Sequence, residues 1–200
     1  MLRIGLTGGL ASGKSTVARL LAERGAAVFD ADDLVRDLYR PGGAAVHAAR
    51  DLFGDAVLDE TGAVDRARVA EIVFHDPALR RALEARIHPL VREERERRFA
   101  QAAWAGAKVA VCEASLLFEA GSEGEYDRVL LVMAPLEERL RRWAEKGGSE
   151  DDARRRIAAQ LPPEEAARRA HEIVINGGSP EDLRRQVEEV WSRWMTLAGN

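Results

Sequence analysis

Two hundred residues, 46% of them hydrophobic and 32% charged, amount to about one folded domain and exclude an intrinsically disordered chain. The net charge of −4, from 30 basic and 34 acidic residues, excludes a dominant polyanion-binding surface but leaves room for a local basic site. No apolar run reaches the ~18 residues of a membrane span, and glycines follow Met1 too soon for a signal-peptide core. A cytoplasmic monomer with neither a membrane nor a nucleic-acid partner is therefore expected.

In chain order, Leu2–Thr7 is a short apolar run that leads into glycines, the first predicted strand. Lys14–Arg24 places Val17, Leu20 and Leu21 at helical spacing and stops at Gly25. Ala26–Phe29 predicts a second strand ending at Asp30, Val109–Val111 a third, Val129–Met133 a fourth and Ile173–Ile175 a fifth. The last helix is signed by Ser179 as cap, Pro180 at its first position and Asp182 in a capping-box spacing. Its apolar face is Leu183, Val187, Val190, Trp191 and Trp194.

Apolar strands alternating with helices predict an α/β chain: a five-stranded parallel sheet flanked by helices. Two segments are too long for simple crossovers. Residues 33–104 are almost all helical in pattern and read as an inserted helical subdomain. Residues 136–170 form an Arg/Glu-rich helical pair broken at Pro162-Pro163 and read as a lid. The core then comprises 1–32, 105–135 and 171–200. Cys112, alone and flanked by valines and alanines, reads as a small buried apolar residue. His47 and His75 read as surface residues.

Only three of the 30 basic residues are lysines: Lys14, Lys108 and Lys146. Lys14 lies in Gly8-Gly9-Leu10-Ala11-Ser12-Gly13-Lys14-Ser15, an uninterrupted G-x-x-x-x-G-K-S that follows a strand and opens a helix. Glycines let such a loop curl so that backbone N–H groups converge on a polyphosphate, and the helix N-terminus adds its positive end. The lysine reaches the β- and γ-phosphates, and Ser15 offers its hydroxyl to Mg²⁺. A nucleoside triphosphate is the expected ligand. No Asn-Lys-x-Asp follows to recognise guanine.

Asp30-Ala31-Asp32 sits at the carboxyl end of the second strand, where ligands bind in open α/β sheets. One carboxylate there can take the proton of an attacking hydroxyl or reach Mg²⁺ through water. The other reading is a helix cap, with Asp30 capping Ala31–Tyr39.

Five motifs in order resemble the dephospho-CoA kinase family: Gly5-Leu6-Thr7-Gly8-Gly9, Asp30-Ala31-Asp32, Ile87-His88-Pro89, Leu116-Leu117-Phe118-Glu119 and Arg156-Ile157-Ala158-Ala159-Gln160. The resemblance runs from residue 2 to about 190. It implies a P-loop kinase fold with a helical acceptor-binding insertion and a helical lid. The implied reaction phosphorylates the ribose 3′-hydroxyl of dephospho-CoA with ATP and Mg²⁺. The alternative is a kinase of another nucleotide or small-molecule hydroxyl, such as a nucleoside monophosphate. A third reading, a nucleotide-gated interaction protein, has no use for an acidic group opposite the phosphates.

Carried over by position, the resemblance makes Lys14, Asp32 and Arg141 the catalytic residues. Gly8, Gly9, Ala11, Ser12, Gly13, Lys14, Ser15 and Thr16 hold the ATP phosphates, with Arg141, Arg156 and Asn176 completing the nucleotide site. Thr7, Asp32, His88 and Leu116 face the acceptor. Ser15 ligates the metal, with Asp32 and Glu113 reaching it through water. His88 either lines the acceptor pocket or caps a helix restarted at Pro89, since a proline inside a continuous helix clashes with the carbonyl four residues back. The chain departs from the family pattern at Glu113 (for Asp), Ser115 (for Pro), Glu145, Ala166 and His171.

Overall fold

The computed structural model describes residues 1–199. By contacts it divides into two units, Met1–Phe29 with the segment from Gln101 onward, and Asp30–Ala100.

The first unit carries a five-stranded parallel sheet. Its strands are β1 (Leu2–Gly8), β2 (Ala27–Asp30), β3 (Val109–Glu113), β4 (Arg128–Met133) and β5 (Glu172–Ile175), in the order β2-β3-β1-β4-β5. β1 is central, with Leu6 opposite Glu113 of β3 and Gly8 opposite Val132 of β4. The strands are nearly continuous apolar runs because both faces are covered: Ile4, Leu6, Val109, Val111, Leu130, Val132 and Val174 pack in one core, and Ala110, Cys112, Val129 and Leu131 are buried on the other face. Onto it pack α1 (Lys14–Ala22), through Val17, Leu20 and Leu21, and α9 (Pro180–Ala198), through Leu183, Val187, Val190 and the fully buried Trp194. Each such side chain stabilises by about 1.5–3 kcal/mol on burial. The capping box forms as read, with Ser179 Oγ accepting from Asp182 N–H and Asp182 accepting from Ser179 N–H. Cys112 is fully buried.

The predicted strands sit within one or two residues of those observed at their starts and ends. The segment 136–170 differs more. It folds as three helices, α6 (Leu136–Glu145), α7 (Glu150–Ala158) and α8 (Pro163–Arg169), not as a pair. Gly147 at φ +83° separates the first two, and Pro163 opens the third at its first position, where the missing N–H costs nothing.

The second unit contains α2 (Ala31–Leu38), α3 (Ala44–Phe53), α4 (Arg66–His75) and most of α5 (Pro77–Trp104). Its own core gathers Leu38, Tyr39, Ala45, Val46, Ala49, Val57, Val69, Leu83 and Ile87. A tight turn between Leu58 and Val64 is held by Asp59, whose Oδ1 accepts from Thr61 N–H, Thr61 Oγ1 and Ala63 N–H.

α5 corrects one expectation. It runs through Pro89 without interruption, so no helix restarts there and His88 caps nothing. Leu83 and Ile87 before the proline are buried, and Leu90 and Val91 after it pack on the same core. Burial on both sides outweighs the roughly 3 kcal/mol that an internal proline costs. Among the described residues no helix is long and apolar enough to cross a membrane.

Candidate active site

The loop from Gly8 to Lys14 leaves the carboxyl end of the central strand and turns into α1. Gly13 caps that helix in the left-handed region (φ +95°), and a Cβ there would lie 2.0 Å from Asn176 Nδ2. Glycine is therefore required twice over, by conformation and by space. Lys14 is buried, and its Nζ donates to the carbonyl oxygens of Gly8 (2.9 Å) and Gly9 (3.5 Å). The ammonium thus lies across the mouth of the loop. Ser12 is 1% exposed, and its Oγ is a buried polar atom without a hydrogen-bond partner. Thr7, also buried, lines a small recess with Gly8, Gly9, Ser115, Phe118, Glu119 and Gln160.

Asn176, just past β5, donates from Nδ2 to the Ser12 carbonyl at 2.9 Å and accepts from Arg142 Nη2 at its own carbonyl at 3.0 Å. Arg142 Nη1 also reaches the Ser12 carbonyl at 3.4 Å. Arg139 is buried and donates through Nε to the Leu10 carbonyl (2.8 Å) and through Nη2 to Gln160 Oε1 (3.2 Å). Burial lowers its pKa from the ordinary guanidinium value. These two arginines stand three apart on α6 and so share a face.

Arg141 is turned away from that face. Its side chain is exposed and paired with Glu138 (2.8 Å) and Glu145, so the structure does not bring it to the loop. Arg156, on α7, pairs with Asp152 at 2.8 Å and lies over the Trp143 ring at 5.4 Å. The sequence reading missed Arg139, Arg142 and Gln160. The helical phase carries only a weak signal: Arg139 adjoins the buried Leu140 and Arg142 is its i+3 neighbour, but Leu136, the other leucine of α6, is exposed and does not fix the face.

Of the motif Leu116-Leu117-Phe118-Glu119, Leu117 and Phe118 are core and Leu116 is exposed. Arg169 fixes this segment. It donates to the Phe118 carbonyl at 3.0 Å, covers the Phe118 ring at 4.9 Å, and pairs with Glu123. Burial pushes the Glu123 carboxyl up, but the Arg169 hydrogen bond and charge outweigh it and hold the carboxyl below its usual range. Glu119 Oε1 accepts from Leu161 N–H at 2.9 Å.

Ser15 stands exposed in the first turn of α1, and Glu113 ends the strand beside β1. A hydroxyl and a carboxylate are hard oxygen donors. They suit Mg²⁺, which keeps several waters and takes substrate phosphates in place of a full protein cage. No group of three His, Cys, Asp or Glu gathers for a metal among the described residues.

In the second unit, Asp30 caps α2, its carboxylate accepting from Asp32 N–H at 2.7 Å. Burial, with the charges of Asp32 and Asp33, pushes the Asp30 carboxyl above its usual value, against the Asp32 amide and Arg36. Asp32 lies in the first turn of α2, so the capping reading holds for Asp30 and leaves Asp32 for other work. His88 is exposed on α5, and His47 and His75 are exposed as expected.

A family model described as dephospho-CoA kinase matches residues 2–182. Among curated relatives, the chain is 44% identical over 191 residues to a dephospho-CoA kinase of Geobacter sulfurreducens, covering 95% of this chain and 97% of that one. It is also 44% identical to one of Frankia casuarinae, covering 96% of this chain and 82% of that one. Among solved structures it is similar to TT1252 from Thermus thermophilus, with a TM-score of 0.83, 40% identity and coverage of 96% and 97%. A phosphate loop on the central strand, and matches of this identity along nearly the whole length, lead to one conclusion: the chain belongs to the dephospho-CoA kinase family.

Proposed function

We propose that this chain transfers the terminal phosphoryl group of ATP to the ribose 3′-hydroxyl of dephospho-CoA, giving CoA and ADP as the last step of coenzyme A synthesis. The observation that carries it is the complete phosphate cradle, Gly8 to Ser15, with Lys14 already drawn across its mouth.

In phosphoryl transfer the protein mainly positions the reactants and offsets charge on the transferred group. The loop's N–H groups other than those of Leu10 and Ser12, which are bonded within the protein, receive the phosphates together with the start of α1, and Lys14 exchanges its carbonyl partners for phosphate oxygens. Mg²⁺, when bound with ATP, would offset negative charge on the phosphates. Ser15, and Asp32 and Glu113 through water, are the residues that would hold it. Asp32 accepts the proton of the attacking 3′-hydroxyl. Arg142 supplies positive charge beside the loop in the role that the sequence assigned to Arg141, and Arg156 serves from α7. Asn176 contacts the nucleotide base through side chain or backbone.

Residues 33–104 bind the acceptor, with His88, and with Thr7 and Leu116 contributed by the core. Residues 136–170 act as a lid that shields the phosphoryl group from water.

The test is a panel of acceptors with the site of phosphorylation read from the product. Dephospho-CoA should stimulate ADP release far above nucleoside monophosphates, with phosphate on the 3′-oxygen. Equal or better turnover of a nucleoside monophosphate would overturn the assignment.

A further inference from the structure

Ala11 is the one non-glycine residue at positive φ (+55°) among the described residues. It occupies the third position of a turn closed by Ser12 N–H to the Gly9 carbonyl at 3.1 Å, a place where a left-handed conformation normally calls for glycine. A strained backbone persists only where its surroundings over-determine it. The surroundings are unusual here. Gln160 Oε1 accepts from Leu10 N–H at 3.0 Å, and Arg139 Nε donates to the Leu10 carbonyl at 2.8 Å. Arg139 Nη2 then donates to the same Gln160 oxygen at 3.2 Å, closing a ring of hydrogen bonds. The two peptide units that flank Leu10, the second of them leading into Ala11, are therefore gripped from outside the loop. The fit extends to Gly9, where a Cβ would stand 2.4 Å from Arg139 Nη2. Gly9 is thus small for the arginine as well as for a phosphate.

Gln160 ends the motif Arg156-Ile157-Ala158-Ala159-Gln160, in which the reaction gives Arg156 a task and Gln160 none. We propose that Gln160, oriented by Arg139, is a positioning residue for the phosphate loop: it holds the turn at Leu10-Ala11 in the shape that receives ATP. The proposal rests on the reading of that loop as the ATP site. It makes a specific statement about mechanism. Gln160 touches no phosphate, yet its loss weakens nucleotide binding because the loop must then be ordered at the moment of binding.

The experiment compares Gln160→Leu, which keeps the volume and deletes the acceptor, with Gln160→Glu, which keeps the acceptor and suits Arg139. ATP and ADP affinities are read by calorimetry, and KM for each substrate by steady-state kinetics. Wild-type binding and turnover check the reading of the site separately. Gln160→Leu should weaken ATP binding and raise its KM by about tenfold, as expected for leaving buried partners unpaired. The KM for dephospho-CoA should stay within about twofold, and Gln160→Glu should recover most of the loss. In an Ala11→Gly background the turn no longer needs outside support, so the effect of Gln160→Leu should shrink to about threefold or less. Should Gln160→Leu not fold, Arg139→Lys, which keeps the charge and loses the fork, is read in the same way. Unchanged ATP affinity in Gln160→Leu, whatever its melting temperature, would overturn the proposal. So would equal impairment of the Leu and Glu variants, or a penalty that Ala11→Gly leaves undiminished.

Discussion

Arg142 and Asn176 hold each other and the phosphate loop at once: Arg142 Nη2 donates to the Asn176 carbonyl at 3.0 Å, and Asn176 Nδ2 donates to the Ser12 carbonyl at 2.9 Å. The arginine comes from α6, the asparagine from the end of β5, and both meet at the residue before Gly13. This joins α6 to the phosphate loop through two side chains.

The pair separates two neighbouring arginines by experiment. Arg142→Ala removes a half-buried cation and its bonds to Ser12 and Asn176, and should raise the KM for ATP by about tenfold or more. Arg141→Ala removes exposed pairs to Glu138 and Glu145, whose worth is small in water, and should change the KM less than about threefold. Steady-state kinetics at saturating dephospho-CoA reads both. The reverse order would restore Arg141 to the site.

Lys14→Ala and Asp32→Asn address the chemistry itself. Lys14→Ala should lower kcat at least about a hundredfold while circular dichroism stays that of the wild type, because its partners are loop carbonyls and not the core. Asp32→Asn should lower kcat by about 10²–10⁴, the usual worth of an aligned general base. A threefold loss would make Asp32 a positioning group.

These predictions draw unequally on sequence and structure. The strands, α1 and α9 were legible because each couples one period of apolar residues to a glycine, proline or cap, as at Gly25 and Ser179-Pro180. The phosphate loop was legible because its chemistry is local: every group that makes the cradle lies between Gly8 and Ser15. Arg141 against Arg142 was not, because one residue on a helix is a rotation of 100°, and only the packing of Leu140 and Arg139 sets the phase. Gln160 was recognisable as part of a motif, but its partner, the Leu10 backbone, is 150 residues away. No periodicity reports such a bond.

Pro89 tests how α5 is held. In a continuous helix it deletes one hydrogen bond to Ala85 and crowds that carbonyl. Pro89→Ala should therefore stabilise the protein by about 1–3 kcal/mol in denaturant unfolding. Had the helix restarted at Pro89, the same substitution would be neutral or destabilising, since proline is favoured at a first helical position. A rise in the unfolding midpoint at unchanged slope is the expected result.

Asp30 links a helix cap to pH. Its carboxylate accepts the Asp32 N–H at 2.7 Å, yet burial and two neighbouring carboxylates raise its folded pKa above the ordinary aspartate value. With the folded pKa above the unfolded one, the folded state binds more protons through the interval between them, and stability falls as pH rises across it. The penalty on the charged form is complete above the folded pKa and absent well below the unfolded one. Asparagine caps a helix as well as aspartate does and has no charge to desolvate. Asp30→Asn should accordingly match or exceed the wild type in stability at pH 7 and lose this part of the acid slope. Asp30→Ala, which abandons the cap, should cost about 1 kcal/mol at every pH. Chemical denaturation of the three proteins between pH 3 and pH 7 checks the sign. A wild type more stable than Asp30→Asn at pH 7, by as much as it exceeds Asp30→Ala, would mean that the charge at the start of α2, and not the bond, holds that helix.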